Sequence, residues 1–390
     1  MSLRSGYPLK CVRLLLLLSA VAAGLPARSQ TTPGGNASQR AVSLEKAGKY
    51  AEAQQAWLAI LAGAPANAEA HAHLGLVYAL QGNYAQAVPS YRQALKLRPG
   101  MSGVEMDLGL ALFKQGNLAE AIEPLEKALK QAPNDARPRL LLGMCYYGTA
   151  RYASAVPYLR AAVEQSPTNL DLRLALAQSC LWAADYAGAL DEYQAILKQD
   201  PNYAQADMIA GQALDAKGDI LGAIAQFRTA ESVAPQTPDV HFGLGYLLWK
   251  QGQFPEAARE FQAEVSLEPK HGQALTYLAD IAMKDNQWTE ASEYLQAAMA
   301  QPRPIRLAFF DLGLLAEHDK RYPQAIEEFK RAIAMEPEKP DAHWRLARLL
   351  QTMGQTEQAK AEFARVRELH ETKAERLIQQ MAHLRSVTPQ

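Results

Sequence analysis

The chain has 390 residues, and 48% of them are hydrophobic, which is enough apolar content for a folded protein. Acidic and basic residues nearly balance, at 41 against 40, so that the formal net charge is −1. This balance argues against a nucleic-acid-binding surface, which needs clustered positive charge. Length alone would suggest two or three domains, but the repeats described below favour one continuous array.

The N-terminal segment Met1–Ser29 has the pattern of a secretory signal peptide. Three basic residues precede a short apolar run, Leu14–Leu25, and a small-x-small sequence ends at Ser29. The run is shorter than the ~20 residues of a transmembrane helix. We therefore expect cleavage before Gln30 and a periplasmic or secreted mature protein of the bacterial cell envelope, with no integral membrane span. An uncleaved anchor is the alternative.

A 34-residue period organises most of the chain. Residues 30–33 are predicted to be a flexible linker, and residues 34–373 contain ten copies of one skeleton without a net insertion. The firmest marker is an alanine in strict register. These alanines are Ala53, Ala87, Ala121, Ala155, Ala189, Ala223, Ala257, Ala291, Ala325 and Ala359. A fixed period of this length is typical of a solenoid, and we number the copies repeat 1 to repeat 10.

Each repeat is predicted to form two helices joined by a tight turn. In repeat 2, Leu74, Val77 and Tyr78 have the spacing of one apolar helix face, and Gly82 provides a left-handed cap before the second helix. Pro99 ends that second helix. Six repeats have glycine at the turn. The other four have Ala150, Ala184, Asn286 and Lys320 there, and we expect those turns to use a different geometry.

A small residue on each first helix recurs together with the marker alanine, and a large apolar residue follows four positions after that alanine. In repeat 2 these residues are Gly75, Ala87 and Tyr91. Two helices approach closely only where neither carries bulk, so we expect the large side chain to fill the space beside the small pair.

These features resemble the tetratricopeptide repeat (TPR) family, in a bacterial secreted form. The family pattern is met by Leu74-Gly75, Tyr78, Ala87, Tyr91 and Pro99. The resemblance implies an all-α fold, a right-handed α-solenoid of about ten helix-turn-helix units, in which the first helices line a concave groove. The tryptophan common near the start of the family unit is absent, which would loosen the edges of the repeats. The residues in its place include His71, Glu105, Arg139, Arg173, Asp207 and His241.

The C-terminal segment contains no glycine, proline or asparagine from Gln355 to Val387. We interpret it as the second helix of repeat 10 continuing into a capping helix at 374–387, followed by a tail at 388–390. Terminal repeats need a cover with a polar outer face, and this segment would supply it.

Motifs for catalysis, metal binding or cofactor binding are not found in the sequence. His71 and His73 are two apart and so point to different helix faces, whereas a helical metal pair needs a spacing of three or four. The chain is therefore expected to be non-enzymatic, without a cofactor or a metal site. Cys145 and Cys180 hold nearly matching places in adjacent repeats, and they are either disulfide-bonded or two buried thiols.

The predicted partner-binding groove follows one stripe of the first helices. In the family this stripe lines the concave surface and binds extended peptides. Its candidate residues here are Leu76, Met106, Leu110, Phe113, Leu140, Met144, Tyr147, Leu181, Trp182, Met208, Phe242, Tyr246, Trp249, Tyr277, Phe310, Leu314 and Trp344. An exposed apolar stripe indicates a binding surface, although neighbouring first helices can also cover such residues.

Two functions are compatible with this stripe. The first is an interaction scaffold of the cell envelope that binds an apolar peptide segment of a partner protein through methionine and aromatic side chains. The alternative is a protein of polysaccharide binding, export or assembly, in which Trp182, Tyr246 and Trp249 stack on sugar rings. The two hypotheses differ in whether the partner is a peptide or a glycan.

Overall fold

The computed structural model describes residues 35–387, with side chains described as far as residue 372 apart from a few positions. The predicted signal peptide, linker and tail lie outside the described residues. Within the described range there are twenty α-helices and no strand, which confirms the all-α prediction. None of these helices is both long and apolar enough to span a membrane.

The helices come in ten pairs, one pair per repeat. In chain order they are α1 Gly35–Lys46, α2 Tyr50–Gly63, α3 Ala68–Leu80, α4 Tyr84–Leu97, α5 Ser102–Lys114, α6 Leu118–Gln131, α7 Ala136–Gly148, α8 Tyr152–Gln165, α9 Leu170–Trp182, α10 Tyr186–Leu197, α11 Ala204–Lys217, α12 Ile220–Val233, α13 Val240–Lys250, α14 Phe254–Leu267, α15 Gly272–Lys284, α16 Trp288–Met299, α17 Arg306–His318, α18 Tyr322–Met335, α19 Pro340–Thr352 and α20 Thr356–Val387. The residues predicted to form a capping helix are thus the continuation of α20.

The chain divides into two compact bodies, with the boundary after Gln226, inside α12. In the N-terminal body each helix from α1 to α11 packs on the next, and in the C-terminal body the same holds from α13 to α20. First helices of successive repeats also contact each other, as α5 contacts α7 and α15 contacts α17. Each body is therefore a helical-repeat solenoid in which every repeat packs on its sequence neighbours.

The contact between the two helices of a repeat has the predicted small-against-large form. A methyl group added at Gly75 would lie 2.6 Å from the ring of Tyr91, and one added at Gly313 would lie 2.5 Å from the ring of Phe329. Both rings are almost completely buried. The absence of a side chain on the first helix is therefore what lets the ring of the second helix lie flat against its backbone.

The turns without glycine were predicted to use another geometry, and that prediction is wrong. Ala150, Ala184, Asn286 and Lys320 have φ values of 58 to 63°, in the same left-handed region as Gly82 at 75°. Their backbone hydrogen bonds match too. The N–H of Arg151 donates to the carbonyl of Tyr146, just as the N–H of Asn83 donates to the carbonyl of Tyr78. The packing of the two helices fixes the turn, and the non-glycine residues tolerate the conformational cost.

Three of the residues in place of the family tryptophan, His71, Arg139 and Arg173, form hydrogen bonds to the closing turn of the preceding repeat. His71 Nε2 donates to the carbonyl of Pro65 at 2.9 Å, and Arg173 Nε donates to that of Pro167 at 2.8 Å. Arg173 also forms an ion pair with Glu192 at 2.6 Å. These bonds join the start of a first helix to the preceding closing turn and to the following second helix.

Cys145 and Cys180 are buried free thiols, the second of the two possibilities raised by the sequence. Burial raises the pKa of each thiol to about 12. The thiolate is the nucleophilic form, so neither group is activated for chemistry.

The left-handed turns predict a stability gain from Ala184→Gly. Ala184 is exposed and has a φ of 63°, so glycine removes backbone strain without removing packing. We expect the free energy of unfolding to rise by about 1 kcal/mol in urea titrations. Ala183→Gly is the control, because Ala183 has a φ of −81° and gains nothing from glycine. Equal effects of the two substitutions would contradict the left-handed assignment.

Candidate partner-binding groove

The predicted groove residues all lie on first helices, but their burial differs. Ten of them are half-buried: Leu76, Leu110, Phe113, Leu140, Met144, Tyr147, Trp182, Trp249, Phe310 and Leu314. Trp344 is exposed. The other six are buried: Met106, Leu181, Met208, Phe242, Tyr246 and Tyr277. These six are core residues in the structure, because helices packed alongside cover them.

In the N-terminal body the half-buried residues form an apolar stripe on α5, α7 and α9. Tyr147 and Tyr152 meet edge to face, with ring centroids 6.0 Å apart, and Tyr152 stacks on Trp182 at 6.2 Å. The hydroxyl of Tyr147 donates to the side-chain oxygen of Gln178 in the next repeat. The stripe is thus held in place by contacts between neighbouring repeats. Trp182 Nε1 is inaccessible and forms no hydrogen bond in the described structure.

In the C-terminal body the stripe on α13 and α15 is an aromatic cluster centred on Tyr277. The Tyr277 ring centroid lies 5.7 Å from that of Tyr246, 5.0 Å from that of Trp249 and 5.2 Å from that of Phe261. Edge-to-face and stacked pairs of this kind add stability beyond their buried area. Tyr277 and Tyr246 are therefore the support on which the partly accessible Trp249 rests.

A polar pair fixes the orientation of Trp249. Its Nε1 donates to Asp280 Oδ2 at 2.5 Å, and Lys284 donates to the other oxygen of Asp280. The Lys284 ammonium lies 5.8 Å from the centroid of the Trp249 ring. The 34-residue pattern does not predict this pair, because Asp280 and Trp249 belong to different repeats. The indole is held in one rotamer, which lowers the entropy lost when a partner binds.

The last two repeats add a more polar end to the stripe. Trp344 is 39% exposed, and the guanidinium groups of Arg345 and Arg348 lie 5.5 and 4.9 Å from its ring centroid. Phe310 and Leu314 are half-buried in the preceding repeat. This part of the stripe combines accessible apolar surface with positive charge.

Two buried carboxylates, Asp207 and Asp311, lie on first helices, and the sequence analysis did not predict the burial of either. Asp311 is completely buried without a hydrogen-bond partner, and its burial, together with the charge of Asp280, raises its pKa well above the usual range. Burial raises the pKa of Asp207 to about 6. The neighbouring Tyr193 hydroxyl donates its proton to Gln226 at 2.7 Å, so Asp207 also lacks a hydrogen bond. An isolated aspartate on an apolar helix gives no sequence sign of such burial.

Asp207→Asn is expected to stabilise the N-terminal body by about 1–2 kcal/mol near pH 7.5, because it removes an unpaired buried charge. The folded-state pKa of about 6 lies above the usual 3.8, so protonation removes the penalty as the pH falls below 6. The gain in the free energy of unfolding should therefore shrink at about pH 4.5. Asp191→Asn, at an exposed position, is the control. A gain that does not change with pH would contradict this account.

Models of the TPR family match the chain along most of its length. One model of the tetratricopeptide repeat matches residues 78–145, 112–155, 146–213 and 316–380, and a second matches 39–102, 242–304 and 278–343. A further TPR repeat model matches residues 211–263. Together these matches run without a gap from residue 39 to residue 380. No curated protein matches the chain.

Solved structures similar to this chain include other TPR proteins. The APC/C hetero-tetramer Cut9–Hcn1 has 14% identity and a TM-score of 0.47, with 87% of each chain covered. Yeast Tom70 has 14% identity and a TM-score of 0.41, over 89% of this chain and 94% of that one. YrrB, described as a TPR protein with an unusual peptide-binding site, has 21% identity and a TM-score of 0.40, over 47% of this chain and 94% of that one.

The family assignment follows from the repeat models. The first of them alone matches more than half of the 390 residues, and the helical pairs follow the same period. The chain therefore belongs to the tetratricopeptide repeat family, whose repeats form protein–protein interaction scaffolds and are typically non-enzymatic.

Proposed function

We propose that this scaffold binds an apolar peptide segment of a partner protein along the stripe of its first helices. The observation that carries the proposal is the recurrence of half-buried apolar side chains at the same register in successive repeats, such as Leu110 with Met144 and Phe113 with Tyr147. A monomer rarely leaves a contiguous apolar surface of this kind uncovered. Methionine and aromatic side chains are also enriched at protein interfaces.

A peptide fits the stripe better than a polysaccharide does. Sugar binding needs aromatic faces that are free to stack, and the three rings considered for it are largely engaged. Tyr246 is buried, Trp182 stacks on Tyr152, and Trp249 packs on Tyr277 while it donates to Asp280. The other half-buried side chains of the stripe, such as Met144 and Leu314, are apolar. This surface suits apolar side chains of a peptide.

The place of action that we propose is the bacterial cell envelope, in the periplasm or outside the cell. The support is the charge and hydropathy pattern of Met1–Ser29, which is that of a secretory signal. Cleavage before Gln30 would release the mature protein. Expression with this segment in a bacterium, followed by mass spectrometry of the extracytoplasmic fraction, tests the proposal, and an intact Met1 there would contradict it.

The groove predicts which apolar substitutions weaken binding. Peptides selected by the immobilised wild-type chain from a random display library should be apolar, and Met144→Ser and Trp344→Ser should each weaken their binding by about tenfold or more in fluorescence anisotropy. Both side chains are partly accessible, so we expect the helical content to stay unchanged in circular dichroism.

The chain offers matched controls for this experiment. Leu221 is 74% exposed on α12 and Met335 is 47% exposed on α18, and both helices are second helices of their repeats. Leu221→Ser and Met335→Ser should leave peptide binding unchanged. If they weaken it as much as Met144→Ser and Trp344→Ser do, the stripe of the first helices is not the binding surface.

A further inference from the structure

We propose that Glu231, His241 and Glu260 form a binding site for a divalent transition metal ion, with Zn²⁺ as the best fit to the ligand set. The three residues lie on α12, α13 and α14, all in the C-terminal body. His241 Nδ1 is 2.8 Å from Glu260 Oε2 and 3.7 Å from Glu231 Oε1, and the three atoms all lie within 4.8 Å of one another.

The distances between the ligand atoms fit tetrahedral coordination of an ion once the flexible side chains move slightly. Zn–N and Zn–O bonds of ~2.0–2.2 Å place neighbouring ligands of a tetrahedron about 3.3–3.5 Å apart. The two measured distances, 2.8 and 3.7 Å, lie on either side of that value. Imidazole with two carboxylates is a ligand set that zinc accepts, and water completes the fourth position.

The charge of the cluster also favours a cation. Two carboxylates face one imidazole, and Arg228, whose charge also acts on Glu231, forms its own ion pair with Glu256 at 2.8 Å. Glu231 and Glu260 remain 32% and 16% exposed, so an ion can enter from solvent. Binding replaces any proton on His241 Nδ1 with the metal and leaves the other ring nitrogen protonated.

The histidine at the matching position of repeat 10, His343, shows how the surroundings of His241 differ. In repeat 10, His343 Nδ1 contacts Glu362 at 2.6 Å, while its Nε2 donates to the carbonyl of Pro337 at 3.1 Å. Both ring nitrogens of His343 are thus engaged by oxygen atoms of the protein. Among the described contacts His241 has no bond to a proline carbonyl, and Glu231 adds a second carboxylate to its Nδ1.

A second acid–histidine cluster nearby is explained without a metal. Asp239, Glu264 and His271 also approach one another. Both Glu264 oxygens accept backbone N–H groups, at 3.1 and 3.0 Å, and His271 Nδ1 accepts the N–H of Ala274 at 3.1 Å. His271 Nε2 is then the protonated nitrogen that donates to Asp239 at 3.1 Å. This cluster caps helix starts, and it has no free lone pair on the imidazole.

The test is a titration of the purified full chain with ZnCl₂, followed by isothermal calorimetry, with MgCl₂ as the comparison ion. We expect saturable binding of one Zn²⁺ per chain and none of Mg²⁺, which prefers six oxygen ligands. Glu231→Gln and Glu260→Gln should each weaken zinc binding at least tenfold. Glu362→Gln alters the carboxylate that contacts His343 at the matching register of repeat 10, outside the cluster, and should leave zinc binding unchanged.

Cobalt substitution gives a second readout. Co²⁺ bound to the wild-type chain should show the visible absorption of a tetrahedral site, and this absorption should be lost in Glu231→Gln. Circular dichroism checks that the variants stay folded. Zinc binding of equal strength in Glu231→Gln and wild type, or an absence of saturable binding in the wild type, would overturn the proposal. The proposal does not depend on peptide binding by the groove.

Discussion

The structure depends on one contact that recurs in each repeat, between a small residue of the first helix and a large side chain of the second. Gly75 against Tyr91 and Gly313 against Phe329 leave no room for even a methyl group. This close approach sets the distance between the two helices, and the marker alanine on the second helix adds no bulky side chain that would push them apart. Since repeats pack on their neighbours in series, the same constraint determines how each body is built.

The groove follows from this constraint. When one face of a first helix is committed to its partner helix, the opposite stripe is left for neighbouring first helices and for other molecules. The neighbours cover residues such as Met208 and Tyr277, while Met144, Trp249 and Trp344 stay partly accessible. Bonds between repeats, such as Tyr147 with Gln178 and Trp249 with Asp280, then orient the accessible side chains.

The sequence predicted what is periodic, and it could not predict what depends on contacts across repeats. The helix pairs and the contact of Gly75 with Tyr91 followed from register alone. The turn at Ala184 was predicted wrongly, because helix packing overrides the backbone preference of alanine. Asp311 is buried by side chains of other helices, and Glu231 approaches His241 from a different helix. The 34-residue pattern does not predict such contacts between helices.

A comparison of two matched glycine substitutions tests the central contact most directly. Gly75→Ala places a methyl group 2.6 Å from the Tyr91 ring, whereas Gly143→Ala places one 3.1 Å from a Leu159 methyl, so that a smaller displacement relieves the contact. Both gain the same helix propensity. Measured by urea unfolding, Gly75→Ala should be less stable than Gly143→Ala by about 1–2 kcal/mol. Equal stabilities, or the reverse order, would contradict the account.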